Sequence, residues 1–299
     1  MSFRLFQSGG AKSKLVIDDS IINEIQGSDK KVYSIVLTGG PSAGKSTILQ
    51  FVKKYFNKYN SDKTEKSQQI LVLTLNEIAT YLINQGITFT PLEPPLFQKL
   101  VMSTQLSMEK TIYEYAESMS KHYHKVLVLM DRGLLDGKAY LIGDGGLNQQ
   151  VEDNWNQILD GLKIKDVYQE HLLKYDLIIH IVTAAQGTGF FYTTENNAAR
   201  TETPEQAKEI DGKTLLVWEH GVDKPIYILD NREGIICRQG KGVQIVKMIS
   251  KLIQKPYTDI FIQETDTATK KQTTMVGGFD GYLKYKTKYL QLKNKLNIN

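Results

Sequence analysis

The chain has 299 residues, 41% of them hydrophobic and 23% charged, a balance ordinary for a globular protein that argues against disorder in its middle and leaves room for one α/β domain with extensions. Its formal net charge of +4 is uneven, because Gly281 to Asn299 holds five lysines and no acid; the rest is close to neutral and lacks the basic excess of a nucleic-acid binder. A single cysteine, Cys237, excludes an internal disulfide and any multi-cysteine zinc site.

Residues 1–30 carry Gly9-Gly10, several lysines and a short apolar patch at Leu15-Val16-Ile17, and read as an N-terminal extension that docks locally. From Lys31 to Lys255, strand-like and helix-like patterns alternate, the signature of a parallel sheet covered by helices. Strands are expected at 32–38, 69–75, 125–131, 176–183 and 225–230, and helices at 46–58, 77–85, 96–123, 151–173, 204–219 and 241–254. The fold class is therefore α/β with a five-stranded parallel sheet, whose right-handed crossovers gather the strand C-terminal ends, and with them the ligand chemistry, on one edge. Residues 256–276 are rich in Thr, Gln and Lys and read as a linker. In the basic tail, 277–299, Tyr282, Tyr285, Tyr289, Leu292 and Leu296 recur at helical spacing. No run approaches the roughly 18 apolar residues of a membrane span and Met1 to Gly10 lacks a signal-peptide core, so a cytoplasmic location is expected. His122, His124 and His180 read as packed or solvated side chains rather than metal ligands.

Chemistry concentrates at the strand ends. After the first strand, Gly39-Gly40-Pro41-Ser42-Ala43-Gly44-Lys45-Ser46 is a complete G-x-x-x-x-G-K-S loop, and Thr47 continues into a helix, the context this motif requires. Its glycines let backbone N–H groups close around phosphates, Lys45 reaches the β and γ phosphates of a nucleoside triphosphate, and the Ser46 hydroxyl suits Mg²⁺. Asp131 ends the apolar strand Val126 to Met130, where a carboxylate holds Mg²⁺ or its water; the alternative is a helix cap. Arg132 suits a bidentate phosphoryl clamp or a surface position. Glu77, ending the second strand, suits orientation or deprotonation of an acceptor hydroxyl, or a favourable place at a helix start. Beyond the fourth strand, the polar stretch Phe190 to Ala207 reads as a lid carrying Arg200, a transition-state cation or a solvated arginine at a helix entry.

Four blocks together resemble the NadR/Ttd-type P-loop family, which joins ribosylnicotinamide-kinase-like domains to proteins similar to the TRPL translocation defect protein. They are Val36 to Ser46, Asn76 to Thr80, Met130 to Tyr140, and His180 to Gly187 followed by Phe191 to Glu205, whose Phe-Tyr-Thr-Thr-Glu-Asn-Asn-Ala-Ala-Arg stretch is the most specific and is nearest the translocation-defect branch. The resemblance spans about Val32 to Lys255. It implies an AAA-like, kinase-like three-layer core, strengthens Arg200, Asp131 and Glu77 as site residues, and places Asp230-Asn231 near the nucleobase. GTP binding is associated with that branch, yet no Asn-Lys-x-Asp guanine motif is present, so ATP and GTP both stand. The tail is similar to C-terminal segments recurring in proteins of giant DNA viruses.

The leading expectation is a Mg²⁺-dependent nucleoside-triphosphate-binding protein that hydrolyses the γ-phosphoryl group or transfers it to an acceptor. The rival is a nucleotide-gated switch read by a protein partner or a phosphoinositide membrane; the third is a scaffold with a structural nucleotide. For the tail, a solvated amphipathic segment is expected first, an anionic membrane or phosphoinositide contact second, and association with viral particles or nucleic acid third.

Overall fold

A computed structural model describes residues 14–88, 92–186, 203–231 and 240–258. The chain divides into two units, Met1–Tyr257 and Thr258–Asn299, and the description concerns the first. All five expected strands form: β2 (Val32–Thr38), β3 (Ile70–Leu75), β4 (Lys125–Asp131), β5 (Leu177–Ile181) and β6 (Ile226–Leu229). A sixth, β1 (Lys14–Val16), comes from the N-terminal region and pairs in parallel with β6, so the apolar patch there does dock. The sheet is wholly parallel in the order β1-β6-β5-β2-β4-β3. Every residue of β4 and β5 is buried, as expected of strands covered on both faces, whereas the edge strand β3 is only half buried at Leu71, Leu73 and Thr74.

The helices are α1 (Asp19–Glu24), α2 (Lys45–Tyr59), α3 (Ile78–Asn84), α4 (Pro94–Met119), the single turn α5 (Asp136–Ala139), α6 (Gln149–Gly161), α7 (Pro204–Gly221) and α8 (Lys241–Leu252). One apolar cluster joins Val36, Val126, Val128, Met130 and Ile178 of the sheet to Met102 and Ala116 of α4, Trp155 of α6 and the fully buried Trp218 of α7. Helices α1, α2 and α8 pack together as the other layer. The α7 start is a full capping box, Thr203 with Gln206, followed by Pro204 at the first helical position.

The expectation of one helix across 151–173 is corrected. Helix α6 stops at Gly161, where Lys163 takes a left-handed φ of 60° and the N–H groups of Lys163 and Ile164 donate to Asp160 O and Leu159 O. That is the hydrogen-bond pattern of a helix-terminating turn, and its lysine stands where glycine is usual. A separate π turn, Tyr168–Leu172, then leads into β5. Among the described residues no helix is long and apolar enough to cross a membrane.

Candidate functional site

Because the strands are parallel, the ends of β2, β3, β4, β5 and β6 share one edge, with the glycine-rich loop rising from the central strand β2 between β4 and β5. Gly39 has a φ of +125°, and a Cβ there would lie 2.2 Å from Ile181 O, so neither the backbone nor the space admits a side chain. At Gly40 a Cβ would meet Asp211 Cβ at 2.8 Å and Ala207 O at 2.9 Å. This closeness lets Gly40 N–H donate to Asp211 Oδ1 at 2.6 Å. From the β5 side, Thr183 Oγ1 donates to Pro41 O at 2.5 Å and Ala184 N–H donates to Ser42 O at 3.3 Å. Pro41 and Ala43 are buried, while Ser46 and Thr47 are exposed at the first turn of α2, which Gly44 caps in the left-handed conformation.

Lys45 is buried and donates to Gly39 O at 2.9 Å and Gly40 O at 2.8 Å. Burial, reinforced by the neighbouring Arg132, lowers its pKa to about 8 against the pull of Asp131 and Glu77. The ammonium is thus held between loop carbonyls, away from water and beside a second cation, Arg132.

Across the loop, Ser46 Oγ donates to Asp131 Oδ2 at 2.6 Å, while the buried Asp131 Oδ1 has no hydrogen-bond partner. Burial pushes the Asp131 carboxyl up, Lys45 opposes it, and Glu77 adds to the rise. Asp131 does not cap a helix, since the N-cap of α5 is Leu135. Arg132 is buried rather than superficial and sits in the left-handed region at φ 77°, a conformation uncommon for a residue with a long side chain. Its Nε donates to Glu77 Oε1, one terminal nitrogen donates to Gly39 O at 3.3 Å, and the same nitrogen lies 3.6 Å from Asp136 Oδ1. Asp136, fixed by Thr38 Oγ1 at 2.5 Å and Gly133 N–H at 2.6 Å, completes the brace.

Glu77 is the N-cap residue of α3, yet its side chain makes no cap hydrogen bond; it accepts from Thr80 Oγ1 at 2.7 Å and pairs with Arg132. Burial raises its pKa, but Arg132 and Lys45 outweigh burial and bring it to about 2. A carboxyl held that low is a weak proton acceptor at neutral pH, so the geometry suits orientation and charge pairing better than deprotonation.

The structure thus brings Lys45, Ser46, Glu77, Asp131 and Arg132 to one place. Asp230 and Asn231 lie at the same edge, at the end of β6, but the Asn231 amide is committed: Nδ2 donates to Thr183 O at 2.8 Å and Gln186 O at 2.6 Å, and Oδ1 accepts from Lys241 Nζ at 2.7 Å. Arg200 and most of the lid stretch around it lie outside the described residues, as do residues 259–276 of the linker and the tail. Sequence reading missed Asp136, Thr183, Asp211 and Lys241. His180, beside Thr38 in the sheet and 1% exposed, approaches Asp211 Oδ1 at 3.4 Å; burial raises the Asp211 carboxyl, and His180 with Gly40 N–H overcomes this to hold it low.

Among the described residues no group of three or more His, Cys, Asp or Glu side chains is placed to hold a metal. The donor set at Ser46 and Asp131 is instead one hydroxyl and one carboxylate with a free buried oxygen. Such hard oxygen ligands fit Mg²⁺, which keeps several waters and takes further ligands from phosphates.

Comparison with known proteins adds two findings. The family model described as "AAA domain" matches residues 34–229. Among solved structures, thymidylate kinase from Candida albicans is similar at 16% sequence identity, covering 75% of this chain and 92% of that chain with a TM-score of 0.48. No curated protein matches the chain.

Proposed function

The chain belongs to the AAA domain family, and from that premise we propose that this P-loop, kinase-like core is a Mg²⁺-dependent triphosphate site that hydrolyses the γ-phosphoryl group of ATP or GTP or transfers it to an acceptor. The observation carrying this reading is the orphaned, buried Asp131 Oδ1 beside the Ser46 hydroxyl, on the loop that also presents Lys45. A carboxylate kept dry and half-unpaired is costly, and a cation delivered with the nucleotide removes that cost. Bound there, Mg²⁺ would neutralise charge on the phosphates.

The chain's own groups supply the rest. Phosphoryl transfer needs positioning and charge stabilisation more than covalent chemistry. The loop backbone from Ala43 to Ser46 binds the phosphates, while Gly40 N–H stays with Asp211 and Pro41 has no N–H to offer. Lys45 leaves the Gly39 and Gly40 carbonyls for phosphate oxygens, and the bound charge raises its pKa again. Arg132, braced by Glu77 and Asp136, offers a terminal nitrogen beside Gly39 and clamps a phosphoryl oxygen. Glu77, ionised, orients an attacking hydroxyl or water rather than taking its proton in advance. Arg200 is assigned to the transition state on its sequence context alone.

The test is calorimetric titration of MgATP and MgGTP, each with and without EDTA, on the parent protein and Asp131→Asn. Binding that depends on the metal in the parent and loses that dependence in the variant is the expected result. Metal-independent binding in both removes Asp131 and Ser46 from a magnesium role.

A further inference from the structure

Lys241 is the first residue of α8, 2% exposed, and has no part in the chemistry above. Its position is unfavourable twice over. Burial strips the ammonium of water, and the N-terminus of a helix repels a cation through its dipole. Burial accordingly lowers its pKa to about 8, against the pull of Asp211 and Asp230. A charge retained at such a place needs firm partners, and among the described residues Nζ donates to Val182 O at 2.8 Å and to Asn231 Oδ1 at 2.7 Å.

What those partners hold is the turn that follows β5. With its oxygen occupied by Lys241, the Asn231 amide points both its hydrogens at backbone carbonyls of that turn, Thr183 O and Gln186 O. The same turn grips the phosphate loop on its far side. Thr183 Oγ1 donates to Pro41 O, Ala184 N–H donates to Ser42 O, and Gln186 Nε2 donates at 3.3 Å to Asp211 Oδ2, whose other oxygen accepts Gly40 N–H. Three consecutive residues of the phosphate loop, Gly40, Pro41 and Ser42, are therefore anchored through a turn that is itself fastened from behind by one asparagine and one buried lysine.

We propose that Lys241 and Asn231 are positioning residues of the triphosphate site, acting together through the 182–186 turn to set the backbone of the phosphate loop. The inference rests on the triphosphate reading above and extends it to residues that touch no phosphate. It gives the Asn231 amide a role on the scaffold, where its three hydrogen bonds are spent.

The experiment measures MgATP and MgGTP affinity by titration calorimetry on the full chain. The variants are Lys241→Met, Asn231→Leu, the double variant, Lys45→Met as a phosphate-contact control, and Val246→Ala as a core control on the same helix. Each single variant is expected to weaken binding by about ten-fold, the worth of one or two buried hydrogen bonds. Because both act through one turn, the double variant should lose little more than either single. Val246→Ala should lower the melting temperature at least as much while leaving affinity within about two-fold, which separates positioning from general loosening of α8. Should Lys241→Met fail to fold, Asn231→Leu, half-buried outside any helix, carries the same comparison. Parent-like affinity in Asn231→Leu, with binding lost in Lys45→Met, overturns the positioning role alone. A parent protein that binds neither nucleotide overturns this inference together with the triphosphate reading.

Discussion

Replacing Lys45 by methionine should make the nucleotide-free protein no less stable while removing its response to nucleotide. The drop of the Lys45 pKa from 10.5 to about 8 means the folded state disfavours the charged form by about 3 kcal/mol relative to the unfolded chain. Methionine removes that penalty and keeps most of the packing. It also strips the carbonyls of Gly39 and Gly40 of a donor, at about 1 kcal/mol each, leaving a net gain of about 1 kcal/mol. Binding moves the other way: losing charge-assisted bonds to phosphate weakens Mg-triphosphate affinity by about 2 kcal/mol, roughly thirty-fold. Urea unfolding with and without MgATP and MgGTP reads both quantities. Nucleotide at about a hundred times its dissociation constant raises parental stability by about 2.7 kcal/mol, and the same concentration should raise the variant's far less. A variant that loses 2 kcal/mol or more without nucleotide, yet keeps the parental nucleotide increment, would refute the reasoning.

Glu77→Gln leaves the buried Arg132 with only the more distant Asp136 carboxylate and should cost about 3 kcal/mol in denaturant unfolding, with γ-phosphoryl turnover falling as well. The same pair predicts acid sensitivity: a carboxyl lowered from 4.5 to about 2 contributes stability above pH 4.5 that is lost as pH falls toward 2, and Glu77→Gln should lose less stability over that window. At the alkaline end Lys45 and Lys241 carry depressed pKa values, so between about pH 8 and 10.5 the unfolded chain holds protons the folded one has released; their contribution makes nucleotide-free stability rise with pH there, while triphosphate affinity falls, both readable by melting and titration across pH. Gly39→Ala forces a Cβ to 2.2 Å from Ile181 O at φ +125° and should abolish nucleotide binding with a loss of about 3 kcal/mol in stability, whereas an unchanged melting temperature would contradict the loop geometry.

What the sequence made legible was local. The Gly39 to Ser46 loop and the buried strands around it are contiguous patterns whose residue types follow from their immediate surroundings, and Asp131 and Glu77 are readable because each closes such a strand. The three residues of β1 are too few to show a period, and Lys163 gives no sign that it will take a left-handed turn and stop α6. In the site, the hidden part is long-range. Asp211 looks like one more polar residue on an amphipathic helix, and only the folded chain brings it 171 positions back to Gly40. Lys241 looks like a solvated lysine at a helix start until burial and Asn231 reveal otherwise. Asn231 is singled out only by the family resemblance, and no local pattern shows that its amide is fully engaged.

The most direct measurement follows the γ-phosphate. Parent protein, Asp131→Asn and Lys45→Met are incubated with Mg²⁺ and γ-labelled ATP or GTP, alone and with panels of nucleosides and nucleotides, and the label is traced. Label appearing on an acceptor or as inorganic phosphate with the parent, and on neither with the two variants, is the predicted result. Tight binding of the labelled nucleotide with no release or transfer under any condition would contradict the proposed chemistry and leave a protein that only holds its nucleotide.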